Sequence, residues 1–407
     1  MSQSKSEHLK RRIGLGLLTA YGIGVMVGAG IYVLVGAVAA EAGVLAPLAF
    51  LLAGVIAAPT ALSYAEFSSR LPEAAGEAAY VGQGFNSKNF AVFVGLAVVL
   101  AGTVSAGAVL RGGAGYFAAA TGLGSEIAII AMGVALILVA IVGVLESFAL
   151  VAVFTLIEVL GLALVVWAGF STSASADWTA APPLIEALGS PGIATGIAFG
   201  AVLAFFAFIG FEDIVNMAEE VRDPTRVLPK AIVISLAVTS LIYALVCWAA
   251  VRTVPLEQLG GSQSPLALVW QQSQGGNARF LSAIAVFAAL NGVLAQIVMA
   301  SRVLYGLGGR TTGLAAFRHA HPRFGTPVRA TVMIGVAVLV AAYWLPVAKL
   351  AEATSTTLLS VFVLVNLALI LQKRRQPEAP FQVPFAVPVV GLLLSLLALA
   401  TAIGGWM

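Results

Sequence analysis

Long apolar runs, separated by short polar stretches, constrain this chain more than any other feature of its sequence. Of its 407 residues, 60% are hydrophobic and only 10% are charged, whereas soluble domains contain roughly 45–50% apolar and about 25% charged residues. Because the mean hydropathy is +1.02, these residues must face lipid rather than a buried core. A helix that crosses a membrane needs about 20 apolar residues, so the chain is predicted to be an all-α integral membrane protein with about 11 transmembrane helices.

Charges, prolines and glycine clusters bound the predicted spans, numbered 1 to 11 in chain order. The spans are Ile13–Ala40, Val44–Arg70, Asn89–Ala119, Ile127–Leu145, Ser147–Phe170, Ile193–Met217, Ala231–Val251, Phe280–Gly306, Ala330–Pro346, Ala353–Leu371 and Pro384–Trp406. The first apolar run continues to about Ala40, which favours a retained span over a cleaved signal peptide.

The distribution of basic residues predicts the orientation. With the N-terminus in the cytoplasm, 17 of the 21 Lys and Arg residues lie on the inner side. The outer side keeps only Arg111, Arg252, Arg279 and Lys349. The positive-inside rule therefore predicts a multi-pass protein of the cytoplasmic (inner) membrane, with its N-terminus inside and its C-terminus outside.

Several classes of function are disfavoured. The net charge of +3 includes no long basic run that would suggest nucleic-acid binding. The single cysteine, Cys247, and three scattered histidines form no zinc motif, and no Walker-type ATP-binding motif occurs. No protease-like Ser/His, paired Asp or His-Glu-x-x-His arrangement is visible, so we expect neither an enzyme nor a metal or cofactor. The expected partners are a small molecule, membrane lipid and a proton or sodium ion; the oligomeric state stays open.

The spans can be divided into two five-helix halves. Spans 1 and 6 begin about 180 residues apart. Because five is odd, the second half is inverted relative to the first, an arrangement typical of secondary transporters. We expect a first repeat over residues 1–170, a second over 171–372 and an additional helix over 373–407.

Two spans carry features that weaken a helix. Span 1 has Gly22, Gly24, Gly28 and Gly30 within nine residues, and each Gly destabilises a helix by up to about 1 kcal/mol relative to Ala. Opening of the backbone at Gly28–Ile31 would free N–H groups for an anionic carboxylate. The alternative is close helix packing through a small-xxx-small pattern.

Span 6 places Glu212, Asp213 and Asn216 inside an apolar run. A carboxylate at the centre of a membrane helix costs roughly 2.5–3.5 kcal/mol, so these residues should face the interior. Because two neighbours on an α-helix point about 100° apart, Glu212 and Asp213 are not expected to face one pocket. Span 6 corresponds in position to span 1, so interruption of both helices is predicted.

The same segments carry a family resemblance over spans 1 to 10. The matching runs are Met26–Tyr32, Tyr64–Glu66, Gly76-Glu77 with Tyr80, Phe206–Glu212, Ala218–Pro224 and Ser301–Gly306. They resemble the amino acid–polyamine–organocation (APC) permeases, and Ala-Glu-Glu-Val-Arg-Asp-Pro at Ala218–Pro224 is the most specific match.

The resemblance implies a leucine-transporter-type fold of 5+5 inverted repeats that works by alternating access. It also implies a substrate site at the two interrupted helices, with the carboxylate on span 1 amides, the amino group on span 6 carbonyls, and Phe206 and Phe208 as gates. The implied substrate-binding residues are Gly28, Ala29, Gly30, Ile31, Phe205, Phe206, Phe208, Ile209, Gly210 and Glu212.

Glu158 is the main departure from the family pattern, because proton-coupled relatives often have a lysine there. It could carry the proton, ligate a cation or hydrogen-bond a carbonyl. Glu212 could recognise an amine or sense protons, or it could bond the unwound backbone. We expect proton-coupled amino acid transport. Sodium coupling, exchange, or a substrate that is an amine, polyamine or other organic cation remains open. A channel or scaffold is the non-transporter alternative.

Overall fold

The computed structural model describes residues 13–71, 76–142, 148–181, 183–309, 311–323 and 325–404. The α-helices are α1 (Leu15–Val27), α2 (Ala29–Ala42), α3 (Ala46–Arg70), α4 (Gly76–Phe85), α5 (Lys88–Thr121), α6 (Ser125–Val142), α7 (Phe148–Phe170), α8 (Ala176–Thr179), α9 (Leu184–Gly189), α10 (Pro191–Phe205), α11 (Pro224–Thr253), α12 (Leu256–Gly261), α13 (Pro265–Gln274), α14 (Arg279–Gly308), α15 (Val328–Trp344), α16 (Val347–Arg375) and α17 (Ala386–Gly404). Four 3₁₀ segments accompany them: Gly43–Leu45, Phe206–Phe208, Glu212–Glu220 and Thr312–Phe317.

The chain is an all-α, multi-pass membrane protein, as its hydropathy predicts. Within the described residues, nine helical stretches are long and apolar enough to cross a membrane. Two further apolar helices, Leu15–Val27 and Val328–Trp344, are shorter. α1 is short because span 1 is divided at Gly28, which separates it from α2.

The helix ends differ from the predicted span ends where polar residues extend an apolar helix. α11 begins at Pro224 rather than Ala231, and α16 continues to Arg375 rather than Leu371. The polar stretch between spans 7 and 8 contains two short helices, α12 and α13. The predicted ends at Leu145, Ser147 and Trp406 lie outside the described residues.

Antiparallel packing of α5 and α14 defines the two ends of the bundle. A Cβ on Gly95 would touch Leu307, and one on Gly102 would lie 3.0 Å from Gln296 Oε1. We call the end at which α3 ends and α5 begins the basic end, because it carries Arg70, Lys88 and the basic turn that closes α16.

At the opposite end, α12 and α13 cover the bundle. The Leu266 N–H donates to the Tyr116 hydroxyl at 3.1 Å, which ties the start of α13 to α5. Tyr116 in turn donates to the carbonyl of Tyr32 at 2.6 Å. α12 packs on α2, where Gly260 lies against Ala40.

A buried ion-pair network at the basic end joins α3, α16 and the segment that precedes α17. Glu66 on α3 is fully buried, and its carboxylate accepts hydrogen bonds from Arg70 Nη2 and Lys373 Nζ, each at 2.6 Å. It also accepts from the backbone N–H of Val383 at 2.9 Å, in the segment that leads to α17. Deeper in the membrane, Asn366 on α16 bonds Thr60 and Ser63 on α3. These contacts fix α3, α16 and the start of the last helix to one another.

Substitution of Glu66 by Gln should lower the free energy of unfolding by about 3–5 kcal/mol, because it leaves two nearly buried cations without their anion. The matched control is Glu352→Gln, which breaks the pair with the exposed Lys349 and should cost about 0–1 kcal/mol. Thermal unfolding of both variants in detergent measures the difference. Equal losses would contradict a structural role for the Glu66 network.

Candidate functional site

The two interrupted helices meet near the middle of the bundle. Gly28 breaks span 1 with φ −37° and ψ −164°, and α2 begins at the next residue. Span 6 changes from α-helix to a 3₁₀ turn at Phe206, then turns at Gly210, whose φ is +126°. A side chain rarely tolerates that φ, which explains glycine at this position.

The breaks approach each other more closely than side chains would allow. A Cβ on Gly30 would lie 3.0 Å from Ala207 Cα. A Cβ on Gly210 would lie 2.6 Å from a methyl carbon of Val25 and 3.2 Å from the Met26 nitrogen. Glycine on each segment therefore permits backbone-to-backbone contact with the other.

The break in span 1 is narrower than the sequence suggests. Only Gly28 leaves the helix, while Gly30 and Ile31 lie in the first turn of α2. The Gly28 N–H donates to the Gly24 carbonyl at 3.1 Å. The expectation that the Gly28 amide is free is therefore wrong, because this N–H completes the last turn of α1. The first N–H groups of α2, from Ala29 to Ile31, fall outside the helical ladder, as at any helix start.

The aromatic residues of span 6 have different surroundings. Phe206 lies beside Gly30 at the break. The Phe208 ring packs edge-on against Tyr243 of α11, with ring centres 5.1 Å apart. Phe205 packs against Phe362 of α16 at 5.6 Å. All three phenylalanines are buried, so Phe208 and Phe205 also act as packing residues.

Glu212 caps the break in its own segment. Its carboxylate accepts a hydrogen bond from the Gly210 N–H at 3.0 Å, and the residue is 5% exposed. This contact is the local hydrogen bond that the sequence left as one alternative. It stabilises the turn at Gly210, because a buried N–H without a partner is costly.

A cavity of about 110 Å³ lies between the breaks and the basic end. Its walls come from α4, the first half of α5, the turn after Phe208, the last half of α14, and α16. Of the predicted site residues, Ile209 and Glu212 line it. The other predicted substrate residues lie at the breaks and not on its wall.

Three acids meet in this cavity: Glu77, Glu212 and Asp213. The expectation that Glu212 and Asp213 would not share a pocket is wrong. The segment is a 3₁₀ helix, and Glu212 turns back towards Gly210 while Asp213 also reaches the wall. Glu77, to which the sequence assigned no role, accepts a hydrogen bond from the Tyr64 hydroxyl at 3.4 Å. Burial raises the pKa of Glu77 above its ordinary value.

Glu158 lies on α7, behind the break in span 1 and away from the cavity. It is 3% exposed, and its backbone carbonyl accepts a hydrogen bond from the Tyr32 hydroxyl at 2.9 Å. Thr155, one turn earlier, packs against Gly24 of α1.

Tyr243 is a site residue that the sequence reasoning missed. Its hydroxyl donates towards the carbonyl of Met26 in span 1 and the carbonyl of Ala207 in span 6, the latter at 2.8 Å. One side chain on α11 thus reaches both interrupted helices. A tyrosine in an apolar span carries no signal that would distinguish it from ordinary packing.

Comparison with known proteins identifies the family of this sequence. The sequence profile of the amino acid permease family matches residues 13–406. The chain is 28% identical to a branched-chain amino acid permease of Bacillus subtilis, over 99% of this chain and 90% of that protein. It is 30% identical to a methylthioribose transporter of the same organism, over 96% and 88%.

A human relative, cationic amino acid transporter 4, is 31% identical over 84% of this chain but only 57% of its own length. The resemblance found in the sequence motifs is thereby confirmed. The chain belongs to the amino acid permease family, within the APC superfamily.

Proposed function

We propose that the chain is a secondary active transporter that moves amino acids across the cytoplasmic membrane by alternating access. The observation that carries this proposal is the interlocked pair of breaks in spans 1 and 6. Backbone that leaves the helical ladder inside a membrane persists only where protein or a cavity surrounds it. Broken helices near the midplane are where secondary transporters bind substrate.

The proposed architecture is a 5+5 inverted repeat, with residues 1–170 and 171–372 as the two halves and 373–407 as an added helix. Its support is that the breaks at Gly28 and at Phe206–Phe208 fall about 180 residues apart. We place the N-terminus in the cytoplasm and the C-terminus outside, on the distribution of basic residues. The basic end is then cytoplasmic.

In the proposed site, the substrate carboxylate binds the N–H groups of Ala29, Gly30 and Ile31. A helix start suits an anion because its N–H groups are unpaired and its dipole end is positive. Gly28 provides the turn rather than a donor, since its own N–H is bonded within α1.

The substrate amino group binds carbonyls of span 6, from Phe205, Phe206 or Phe208. Phe206 is the better gate of the two phenylalanines, because it borders Gly30, whereas Phe208 packs on Tyr243. Ile209 and Glu212 connect this site to the cavity, whose wall they line, and Gly210 provides the turn between them.

The cavity also suggests a direction of access. It lies on the basic-end side of the breaks, while α12 and α13 cover the opposite end. This arrangement corresponds to the cytoplasm-facing half of an alternating-access cycle.

An amine, a polyamine or another organic cation is the second candidate substrate. The observation that favours it is the set of three acids on the cavity wall: Glu77 and Glu212, which are buried, and Asp213, which is partly buried. The methylthioribose transporter among the relatives adds a sugar-like candidate. A channel or scaffold remains the least supported alternative, because neither needs paired helix breaks.

The close approach at Gly30 can be tested by substitution. Replacing Gly30 with Val should abolish substrate binding while leaving membrane insertion intact, because the new side chain collides with Ala207 and covers the first amides of α2. Gly306→Val is the matched control, since a Cβ there meets nothing within 4 Å. Ligand-induced thermal shifts of both variants measure the effect. Undiminished binding by Gly30→Val would contradict the site.

Competition between related compounds separates the candidate substrates. In competition binding to the purified protein, the decarboxylated amine should displace a bound amino acid at least about tenfold more weakly than the amino acid itself does. The reason is that the amine lacks the carboxylate, which is the group proposed to meet the α2 amides. A tenfold difference corresponds to about 1.4 kcal/mol of binding free energy. Equal competition by the amine would move the assignment to amines and polyamines. Stronger competition by methylthioribose than by either compound would favour a sugar-like substrate.

We further propose that transport is coupled to protons, with Glu158 as the leading carrier and Glu212 second; sodium coupling and exchange are the alternatives. An ionised carboxylate at the membrane midplane without a cation is costly, so binding and release of a proton at Glu158 is a physically reasonable cycle. No lysine stands at this position to supply the charge.

In liposomes, we expect an imposed pH gradient to drive concentrative uptake without sodium, and Glu158→Gln to abolish this dependence on pH. Glu126→Gln, at the exposed start of α6, serves as control. Uptake that requires sodium and ignores the pH gradient would refute proton coupling. Normal pH-driven uptake by Glu158→Gln would move the role to Glu212.

A further inference from the structure

The last turns of α14 carry an exposed face at the basic end of the bundle. Arg302, Tyr305 and Gly309 are all exposed. Because Tyr305 follows Arg302 by three residues and Gly309 follows Tyr305 by four, the three positions lie on one side of the helix. This side faces away from the bundle, and its last position, Gly309, has no side chain to cover it.

Arg318 folds back onto this side of α14 from the segment that follows the helix. A Cβ on Gly309 would lie 3.4 Å from Cζ, Nε and Nη1 of Arg318, so the guanidinium group lies against the bare backbone of the glycine. Seven residues of α-helix rise about 10 Å. Arg302 and the Arg318 guanidinium group therefore flank Tyr305 along about 10 Å of the helix. We call these four residues the arginine face.

Contacts of the intervening segment hold Arg318 in this place. A Cβ on Gly308 would lie 2.7 Å from the carbonyl oxygen of Leu314, so the 3₁₀ turn packs directly on the end of α14. From the start of α15, Arg329 Nη1 donates to the carbonyl of Ala316 at 3.4 Å. The backbone that leads to Arg318 is thus fixed between α14 and α15 without any ligand.

The two arginines have no acidic partner in the part of the chain that the structure describes. The ion pairs found there join other residues. The sequence also contains no Asp or Glu between Glu257 and Glu352, a stretch that includes the whole of α14 and the segment after it. Two uncompensated positive charges on one exposed face attract an anion.

The arginine face lies at the depth of the lipid headgroups. α14 has 30 residues and is therefore about 45 Å long, whereas the hydrocarbon core of a bilayer is about 30 Å thick. Its last turns, from about Arg302 onwards, extend past that core. Phe287 is 63% exposed and precedes Tyr305 by 18 residues, which is five full turns of helix. The side of α14 that carries the arginine face thus presents an apolar surface deeper in the membrane, as expected of a helix that contacts lipid.

We propose that the arginine face binds the headgroup phosphate of an anionic phospholipid. Guanidinium groups bind phosphate oxygens through paired N–H donors, and the Tyr305 hydroxyl supplies a further donor. The acyl chains then lie along the apolar side of the same helix, which a soluble anion would leave unused. This inference does not depend on the identity of the transported substrate, and it uses the proposed orientation only to assign the lipid to the cytoplasmic leaflet.

Native mass spectrometry of the full chain in detergent can test the proposal. The probes are phosphatidylglycerol and phosphatidylcholine with the same acyl chains. Wild-type protein should bind phosphatidylglycerol at least about tenfold more tightly than phosphatidylcholine. Arg302→Gln and Arg318→Gln should each lower this preference about fivefold, because that is the contribution of one arginine at an anionic membrane surface.

Arg226→Gln is the matched control. It removes an equal charge from the start of α11, where the Arg226 side chain is 82% exposed, and it leaves the arginine face intact. The preference for phosphatidylglycerol should stay at the wild-type value in this variant. An unchanged preference in Arg302→Gln and Arg318→Gln would overturn the proposal, as would an equal fall in Arg226→Gln.

A second measurement uses wild-type protein alone and separates a lipid from a soluble anion. Inorganic phosphate is added in about tenfold excess over phosphatidylglycerol, with sodium chloride of equal ionic strength as the reference. We expect the lipid to stay bound, because the free ion lacks the acyl chains that the apolar side of α14 contacts. Displacement by phosphate but not by sodium chloride would assign the arginine face to a soluble anion and overturn the lipid assignment.

Discussion

Every backbone polar group inside the membrane needs a partner from the protein itself, and the centre of this structure follows from that constraint. Interrupting spans 1 and 6 frees N–H and carbonyl groups that lipid cannot satisfy. Each interruption is therefore placed against the other, with Gly30 touching Ala207 and Gly210 touching Met26. Glu212 and Tyr243 supply the remaining contacts. We propose that the N–H groups at the start of α2, which have no partner within the helix, are the groups that a ligand meets.

The membrane fold was predictable because its signals are local. Apolar runs define the spans, and glycines in span 1 and acids in span 6 indicate where those helices end early. The prediction was less accurate at the level of single residues. It treated Gly28 to Ile31 as one opened segment, whereas a single residue with unusual dihedral angles is enough to separate α1 from α2. Helix ends were also misjudged where polar residues continue a helix beyond the apolar core, as at Pro224.

Contacts between distant residues could not be predicted in this way. Tyr243 and Met26 are 217 residues apart, and Glu66 and Lys373 are 307 apart. Nothing in the local sequence of either pair indicates the other member. Glu77 illustrates the same difficulty, since it lies in a short helix outside the spans, and only the folded arrangement brings it to a wall shared with Glu212 and Asp213. In the sequence, Glu66 lies near the end of a predicted span, and its complete burial is apparent only in the folded structure.

Protonation is expected to have different effects at the two acids proposed for coupling, Glu212 and Glu158. The hydrogen bond from Gly210 to an ionised Glu212 is worth about 1.5–3 kcal/mol, and one to a neutral acid about 0.5–1.5 kcal/mol. Protonation of Glu212 thus weakens its cap by about 1 kcal/mol, which shifts a two-state equilibrium only about fivefold. Moving a population from 1:99 to 99:1 takes about 5.5 kcal/mol. The Glu212 cap alone is therefore too weak a switch, and a proton-driven cycle would need a larger change in free energy elsewhere; our proposal assigns that change to the buried carboxyl of Glu158 on α7.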